Sequence, residues 1–251
     1  MGDNVDYHAV HHSAPPPAVE GKTVAILDFA YDLSTMRILS STCKDVMVID
    51  HHKTNQQDLK EFPNAIFDMN RSGAGMAWDF FHPSTPRPPL IDYIEDRDLW
   101  KWILPKSKEF SAGLTLVPHD FKEYQKLEDK TCFDEIMRKG TLILEHSETC
   151  IKQVCKSATF RKFKGFHIAM VNTSRWMSEV GNMLAEKSDF AFVWYYDHKR
   201  KHVKVSLRSC GMNADVSTIA QTFGGGGHYN AAGFTLPTLS MLEEIFDNDE
   251  N

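Results

Sequence analysis

The sequence of 251 residues is 42% hydrophobic and 25% charged, with a formal net charge of −6. This length predicts one large core or two smaller ones, and the acidic balance argues against a protein that coats nucleic acid over its whole surface. The sequence contains no uninterrupted apolar run of about 18 residues, so we expect no membrane-spanning helix. Five scattered cysteines favour reduced thiols and a cytoplasmic location.

The first part of the chain alternates between short apolar runs and helical patterns. We expect a disordered tail over 1–21, because this segment contains a proline run and lacks an apolar signal core. After it, the patterns predict strands at 23–29, 45–50 and 64–69, and helices that begin near Leu33 and cover 72–81 and 90–100. Nearly all-apolar strands that alternate with helices are typical of a parallel sheet covered by helices.

The second part predicts another, smaller α/β unit. A helical pattern over 121–160 indicates a connector between two lobes. The unit itself is expected over 161–240, with strands at 166–172, 190–196 and 202–209 and helices at 174–187 and 215–223. A glycine-rich loop follows at 224–234, and 241–251 is interpreted as an acidic tail. The predicted fold class is α/β in two lobes, with ligands beyond the carboxyl ends of the strands.

Asp50, His51 and His52 follow directly on the apolar run of the second predicted strand. Carboxylate and imidazole together suit Mn²⁺, Zn²⁺ or iron, and a carboxylate beside a ligating histidine can fix its tautomer. Two adjacent histidines alone are more typical of a solvated turn. Asp28 ends the neighbouring predicted strand, however, and this second carboxylate favours a metal site at the edge of the sheet.

The second half of the chain carries groups that suit a phosphate. Four glycines, Gly224 to Gly227, precede His228, and glycine lets backbone N–H groups approach an anion closely. Arg208 at a predicted strand end is a bidentate phosphate ligand in principle. Taken singly, a flexible loop and a surface arginine are the commoner interpretations.

Both regions together resemble the signatures of the DHH/DHHA1 phosphoesterase family. The first is VIDHHKT (48–54), and the second comprises SLRS (206–209) and ADVSTIAQTFGGGGHYNAAGF (214–234). The resemblance covers about 22–237 and implies a DHH lobe over 22–120, a DHHA1 lobe over 161–240 and an active-site cleft between them. Members of this family hydrolyse nanoRNA, dinucleotides, 3′-phosphoadenosine phosphate or polyphosphate, and bind two divalent ions, usually Mn²⁺.

The resemblance also assigns roles to individual residues. It implies Asp28, His51 and Asp96 as metal ligands, with Asp98 as a less favoured register for the last. Asp50 supports the site, and His52 faces the substrate. The substrate phosphate or terminal nucleotide is expected to contact a set of residues in the second lobe: Arg208, Ser209, Gly225, Gly226, Gly227 and His228.

We therefore expect a Mn²⁺-dependent phosphoesterase of short nucleotide or oligoribonucleotide substrates, with Mg²⁺ or Co²⁺ as alternative ions. The family's first motif, which should precede Asp28, is missing from the sequence. This favours the alternative of a catalytically impaired homologue that binds nucleotide, RNA or a protein partner. An exopolyphosphatase is a further alternative. Extended duplex DNA and membranes are not expected as partners, whereas a homodimer is compatible with the family.

Overall fold

The computed structural model describes residues 5–10 and 14–247 and divides into two compact units. The first unit comprises 1–107 with 117–133, and the second comprises 108–116 with 134–251. The strands are β1 (Thr23–Leu27), β2 (Asp45–Asp50), β3 (Ala65–Phe67), β4 (Thr159–Phe163), β5 (Phe166–Asn172), β6 (Phe190–Asp197), β7 (His202–Ser209), β8 (Gly226–His228) and β9 (Ala231–Leu236).

Helices account for most of the remaining regular structure. They are α1 (Leu33–Thr42), α2 (Lys53–Asp58), α3 (Gly73–Phe81), α4 (Pro89–Asp98), α5 (Ser107–Leu114), α6 (Phe121–Gln125), α7 (Lys130–Lys156), α8 (Met177–Ala185), α9 (Val216–Gln221) and α10 (Leu239–Asp247). One 3₁₀ turn, Lys126–Glu128, lies between α6 and α7.

The first unit is built on a parallel sheet in the order β1-β2-β3, as the sequence pattern predicts. Strand β2 is the most buried, because Val46 and Val48 enter the core while Ile49 is buried as well. A strand that is apolar on successive positions can be covered on both faces. Val19, from the segment expected to be a disordered tail, also lies in this core, with 8% of its surface exposed.

The second unit contains a mixed sheet in the order β4-β5-β6-β7-β9-β8. Strands β5 and β6 are parallel, whereas the other neighbouring pairs are antiparallel. Phenylalanines from several strands, among them Phe163, Phe190 and Phe192, are fully buried in its larger core. A mixed α/β unit is confirmed, although the parallel arrangement of the first unit is not repeated.

Three local predictions in the second half are wrong. Strand β4 occupies 159–163, where the helical connector was expected to reach 160. The glycine run predicted as a loop includes β8, which pairs with β9. Helix α10 occupies much of the expected acidic tail, because Leu242 and Phe246 supply an apolar face that packs into the core. The last part of that predicted tail, 248–251, lies outside the described residues, as do 1–4 and 11–13 of the expected N-terminal tail.

Helices α5 and α7 cross in close contact within the second unit. A Cβ atom on Gly140 would lie 1.7 Å from the carbonyl oxygen of Glu109, and one on Gly113 would lie 2.1 Å from that of Ile136. No side chain fits at either position, so the two glycines allow the helix backbones to touch. This crossing joins the short 108–116 segment to the long helix.

Two further findings concern the cysteines and the apolarity of the helices. All five cysteines lie in the described part of the chain and are free thiols. Within the same residues, no helix combines the length and apolarity that a membrane crossing requires.

Candidate metal centre

Asp28 lies at the carboxyl end of β1, beside the end of β2. Its backbone N–H donates to the carbonyl oxygen of Ile49 at 2.8 Å, which continues the parallel ladder by one residue. Its φ of 56° is in the left-handed region, which is uncommon for a residue with a side chain. The chain turns sharply here, and the Oδ1 atom of Asp28 lies 3.1 Å from Nε2 of His51.

His51 is the buried centre of a three-residue cluster. Its Nε2 atom lies 3.1 Å from Asp28 Oδ1 and 3.3 Å from Asp98 Oδ2, and 2% of its side chain is exposed. One potential ligand atom from each of these residues lies within 4.8 Å of the others. Two carboxylates and one imidazole form a donor set that suits Mn²⁺, so the residues present fit the ion that the family uses.

The two carboxylates change the protonation of His51. Burial by itself lowers the pKa of an imidazole. The hydrogen bond to Asp28 and the charges of Asp98, Asp28 and Asp50 outweigh burial and raise the pKa of His51 above its ordinary value. Burial also raises the pKa of Asp98, against the opposing charge of His51. Below the raised pKa of His51, a divalent cation would therefore have to replace the imidazole proton.

Asp50 is fully buried and accepts several hydrogen bonds. Its Oδ1 atom accepts from the His51 backbone N–H at 2.8 Å and lies 2.7 Å from Nδ1 of His52, while Oδ2 accepts from the Asn55 amide at 2.6 Å. Burial raises the pKa of a carboxyl group, but these bonds and the charge of His52 hold the pKa of Asp50 below its ordinary value. Asp50 therefore holds the backbone of His51 and orients the ring of His52. We assign the proton of neutral His52 to Nδ1, so that Nε2 carries the lone pair.

Asp50 and His52 also belong to a second potential ligand group. Ligand atoms of Asp28, Asp50 and His52 lie within 4.8 Å of one another. Asp28 is therefore common to both groups.

The structure brings Asp98, rather than Asp96, to His51. The carboxylate of Asp96 is buried and accepts from the backbone N–H groups of Ile103 at 3.0 Å and Leu104 at 3.3 Å. It thereby caps the turn that follows α4, and its side chain serves the backbone there. The sequence analysis preferred Asp96 and kept Asp98 as the alternative. Asp98 is the residue whose carboxylate lies in the cluster.

The turn after α4 is conformationally unusual. Trp100 and Trp102 both have positive φ values, of 55° and 54°, and their rings lie 5.0 Å apart. Such conformations cost on the order of 1–3 kcal/mol each and persist only where surrounding contacts impose them. The Asp96 carboxylate supplies two of those contacts, and thus stabilises the segment immediately after Asp98.

Several residues around the site were not singled out in the sequence. Asn55 lies in the first turn of α2, and its amide reaches back to Asp50, which no periodicity of the sequence indicated. Gly73 packs its backbone against Asp28, and Glu95 accepts a hydrogen bond from Ser72. The small residues of 72–75 indicated close packing at this helix start, but nothing local showed what they would contact.

In the second unit, Arg208 is largely buried and held by neighbouring oxygens. Its guanidinium donates to Ser206 Oγ, to the Leu207 carbonyl and to Ser178 Oγ, each at 2.8 Å. Burial lowers the pKa of Arg208, and the charge of Glu179 opposes this shift. A Cβ atom at Gly181 would lie 2.6 Å from its stem, so α8 provides the space in which the side chain lies.

Arg208 and His228 occupy corresponding positions in the sheet. Arg208 pairs with Ala231, and Ala231 pairs with His228, so all three side chains point to one face of the sheet. Two strand spacings, about 10 Å, separate the backbones at Arg208 and His228.

The glycines before His228 have a structural reason of their own. A Cβ at Gly225 would lie 2.1 Å from the Gly233 carbonyl, and one at Gly227 would lie 2.5 Å from that of Ala231. Gly226, between them, pairs with Gly233 in the β8–β9 ladder. Ser209 is buried, with its hydroxyl 2.7 Å from the Ala214 carbonyl oxygen, so it contributes to the loop after β7.

Comparison with known proteins identifies a domain in the second half of the chain. The model of the DHHA1 domain matches residues 166–248. The second unit therefore contains a DHHA1 domain, which supports the assignment of the chain to the DHH/DHHA1 phosphoesterase family. It is 31% identical to the uncharacterized protein R106 of Acanthamoeba polyphaga mimivirus over 224 residues, which are 86% of this chain and 53% of that protein.

A second curated protein and a solved structure complete the comparison. Oligoribonuclease NrnB of Bacillus subtilis (strain 168) is 25% identical over 229 residues, which are 80% of this chain and 54% of NrnB. The chain thus spans about half the length of the curated relatives it matches. Among solved structures, RecJ in complex with Mn²⁺ from Thermus thermophilus aligns with a TM-score of 0.47 at 17% identity, over 90% of this chain and 43% of RecJ.

Proposed function

We propose that this protein is a Mn²⁺-dependent phosphoesterase that acts on short nucleotide substrates. The observation that carries the proposal is the buried imidazole of His51 between the carboxylates of Asp28 and Asp98. Membership of the DHH/DHHA1 family supports a phosphoester as substrate, and the similarity to an oligoribonuclease supports a short nucleotide chain. Mg²⁺ or Co²⁺ could replace Mn²⁺ in such an oxygen- and nitrogen-rich site.

Each residue of the centre has a defined task in this proposal. Asp28, His51 and Asp98 would hold the ion, which supplies Lewis acidity to a phosphoryl oxygen. Asp50 holds the His52 ring through Nδ1, so that Nε2 can accept or donate a proton at the substrate. The amide of Asn55 donates to Oδ2 of Asp50 and so holds this carboxylate against the His51 backbone and the His52 ring.

The groups of the second unit would bind the phosphate or terminal nucleotide. Arg208 is already fixed by three hydrogen bonds, so little rotamer entropy would be lost on binding an anion. His228 lies on the same sheet face and would add a hydrogen bond. Gly225 and Gly227 would shape this strand by packing against β9 rather than by leaving room for a ligand, and Gly226 would lie between them. Ser209 would act through the loop that its hydroxyl stabilises.

Hydrolysis assays with Mn²⁺ test the proposal. The substrates are a 5′-phosphorylated dinucleotide, 3′-phosphoadenosine phosphate and polyphosphate, and the variants are His51→Ala and, as a matched control, His119→Ala. His119 is exposed and contacts Tyr124, outside the cluster. We expect turnover of a nucleotide substrate that His51→Ala abolishes and His119→Ala preserves.

The other outcomes select between the remaining functions. Turnover of polyphosphate alone would identify an exopolyphosphatase. Nucleotide binding without turnover by the parent protein would contradict the enzyme and identify a binding homologue.

A further inference from the structure

We propose that Glu95 is a positioning residue of the metal centre, which sets the separation of the Asp28 and Asp98 carboxylates by tying the start of α3 to α4. This inference rests on the proposed function, since it assigns to Glu95 a role in the proposed Mn²⁺ site. Glu95 does not contact His51. It acts through Ser72 and Gly73, and each step is a contact within the first unit.

The first step is the bond between Glu95 and the helix start. Oε2 of Glu95 accepts from the Ser72 backbone N–H at 3.0 Å and from the Ser72 hydroxyl at 3.2 Å. The same hydroxyl oxygen accepts from the Gly75 N–H at 3.0 Å, so Ser72 caps α3 while it is held by Glu95. Ser72 is fully buried, and a Cβ on Gly75 would lie 2.2 Å from Oε2. The carboxylate is therefore packed directly against the first turn of α3.

The second step leads from the helix start to the ligand. A Cβ on Gly73 would lie 2.4 Å from both Cβ and Oδ1 of Asp28. That oxygen is the one that faces His51 Nε2. The backbone of Gly73 thus forms the wall against which the Asp28 carboxylate rests. A displacement of the α3 start would change the position of Asp28 relative to His51.

The third step connects Glu95 to the other carboxylate. Glu95 and Asp98 are three residues apart on α4, so their side chains project from neighbouring parts of the same helix surface. The helix carries Asp98 to His51 and Glu95 to Ser72. One rigid element thereby fixes Asp98 directly and Asp28 indirectly.

Two arginines hold Glu95 in place. Arg71 Nε lies 3.2 Å from Oε2, and Arg87 Nη1 lies 3.1 Å from Oε1. Both arginines also bind Asp79 on α3, so each of them connects Glu95 on α4 to a carboxylate on α3. Because each carboxylate oxygen of Glu95 already accepts from several donors, rotation of this side chain would break bonds on both sides.

The test compares Mn²⁺ binding by the parent protein, Glu95→Gln and Asp92→Asn, measured by titration calorimetry. An amide presents one acceptor oxygen and one NH₂ group, so glutamine would direct a donor at either Ser72 or the arginines. Asp92 is the matched control, because it lies on α4 and its carboxylate is 3.6 Å from the same Arg87. Its substitution by asparagine removes the same charge as Glu95→Gln. We expect Mn²⁺ affinity to fall about tenfold or more in Glu95→Gln and to change less than about twofold in Asp92→Asn.

Equal Mn²⁺ affinity of Glu95→Gln and the parent would overturn the inference. An equal loss in Asp92→Asn would also overturn it, because the cause would then be the charge of the helix. Gly73→Ala is the second variant, and it applies even where Glu95→Gln does not fold. It leaves the Glu95 contacts in place but crowds Asp28, and parent-like Mn²⁺ affinity in this variant contradicts the second step.

Crystal structures of the metal-free parent and Glu95→Gln separate this inference from the proposed function. The expected change is a shift of Gly73 and a longer distance from Asp28 Oδ1 to His51 Nε2. An unaltered arrangement of Asp28, His51 and Asp98 overturns the positioning role whether or not the parent binds Mn²⁺. Absence of Mn²⁺ binding by the parent, with the expected shift present, refutes the metal site while the positioning of Asp28 stands.

Discussion

The Nε2 atom of His51 lies 3.1 Å from the Oδ1 atom of Asp28, with the imidazole buried and the carboxylate half exposed. This geometry suits a shared proton in the metal-free protein. The same geometry suits a shared divalent ion, which requires Nε2 to be unprotonated so that its lone pair can bind the ion. Proton and ion therefore compete for one position, and the competition determines how metal binding depends on pH.

We expect Mn²⁺ to bind more tightly as the pH rises through the raised pKa of His51. The pKa of His51 is raised above its ordinary value, so below that pKa the ion must displace a proton, and above it no proton has to leave. Calorimetric titrations in two buffers of different ionisation enthalpy measure the protons released. Release at low pH that disappears at high pH is the predicted result, and pH-independent affinity would contradict it.

Asp98→Asn should affect Mn²⁺ binding, whereas Asp96→Asn should affect the stability of the fold. Asp98→Asn removes a carboxylate from the His51 cluster and should weaken Mn²⁺ binding at least tenfold with little loss of stability. Asp96→Asn should instead lower the free energy of unfolding by about 1–3 kcal/mol, because a buried acceptor of two backbone N–H groups is altered. Calorimetric Mn²⁺ titration and urea unfolding distinguish the two. Loss of Mn²⁺ binding in Asp96→Asn alone would restore the register preferred from the sequence.

Asp50→Asn should reduce turnover about 10- to 100-fold at saturating Mn²⁺. The amide either presents NH₂ to the His51 N–H and the His52 ring or loses the bond to Asn55, so the orientation of His52 is no longer unique. Asp45→Asn is the control at the exposed start of the same strand. Steady-state kinetics measure the effect, and unchanged kcat in Asp50→Asn would remove the orienting role.

Gly140→Ala should destabilise the protein by about 1–3 kcal/mol, although alanine favours helices. The added Cβ would lie 1.7 Å from the Glu109 carbonyl, so α5 and α7 must separate. Leu142→Ala, at a largely exposed position of the same helix, should stay close to neutral. Thermal and urea unfolding measure both variants. A Gly140→Ala protein as stable as the parent would show that this crossing tolerates displacement.

Much of the first unit was predictable because the relevant interactions follow from local pattern. Apolar runs identified β1, β2 and β3, and parallel strands bring their carboxyl ends to one edge, which placed Asp28 near Asp50 and His51. The family was recognisable from two short motifs, and the match of residues 166–248 to the DHHA1 domain confirms the second. The assigned roles of the site residues stay predictions until the variants are measured.

The sequence by itself determined the two-lobed α/β class, the histidines at the end of β2 and six of the strands (β1, β2, β3, β5, β6 and β7), since these depend on periodicity and on neighbours in the chain. Only the tertiary structure decided between Asp96 and Asp98. Asp96 and Asp98 are two positions apart on α4, so their side chains point about 200° apart around the helix axis. The packing of α4 therefore decides which of the two faces His51. The same applies to Glu95 and Gly73, whose partners are distant in sequence. No local pattern encodes which distant backbone a carboxylate will meet, because that choice is made by the packing of whole helices.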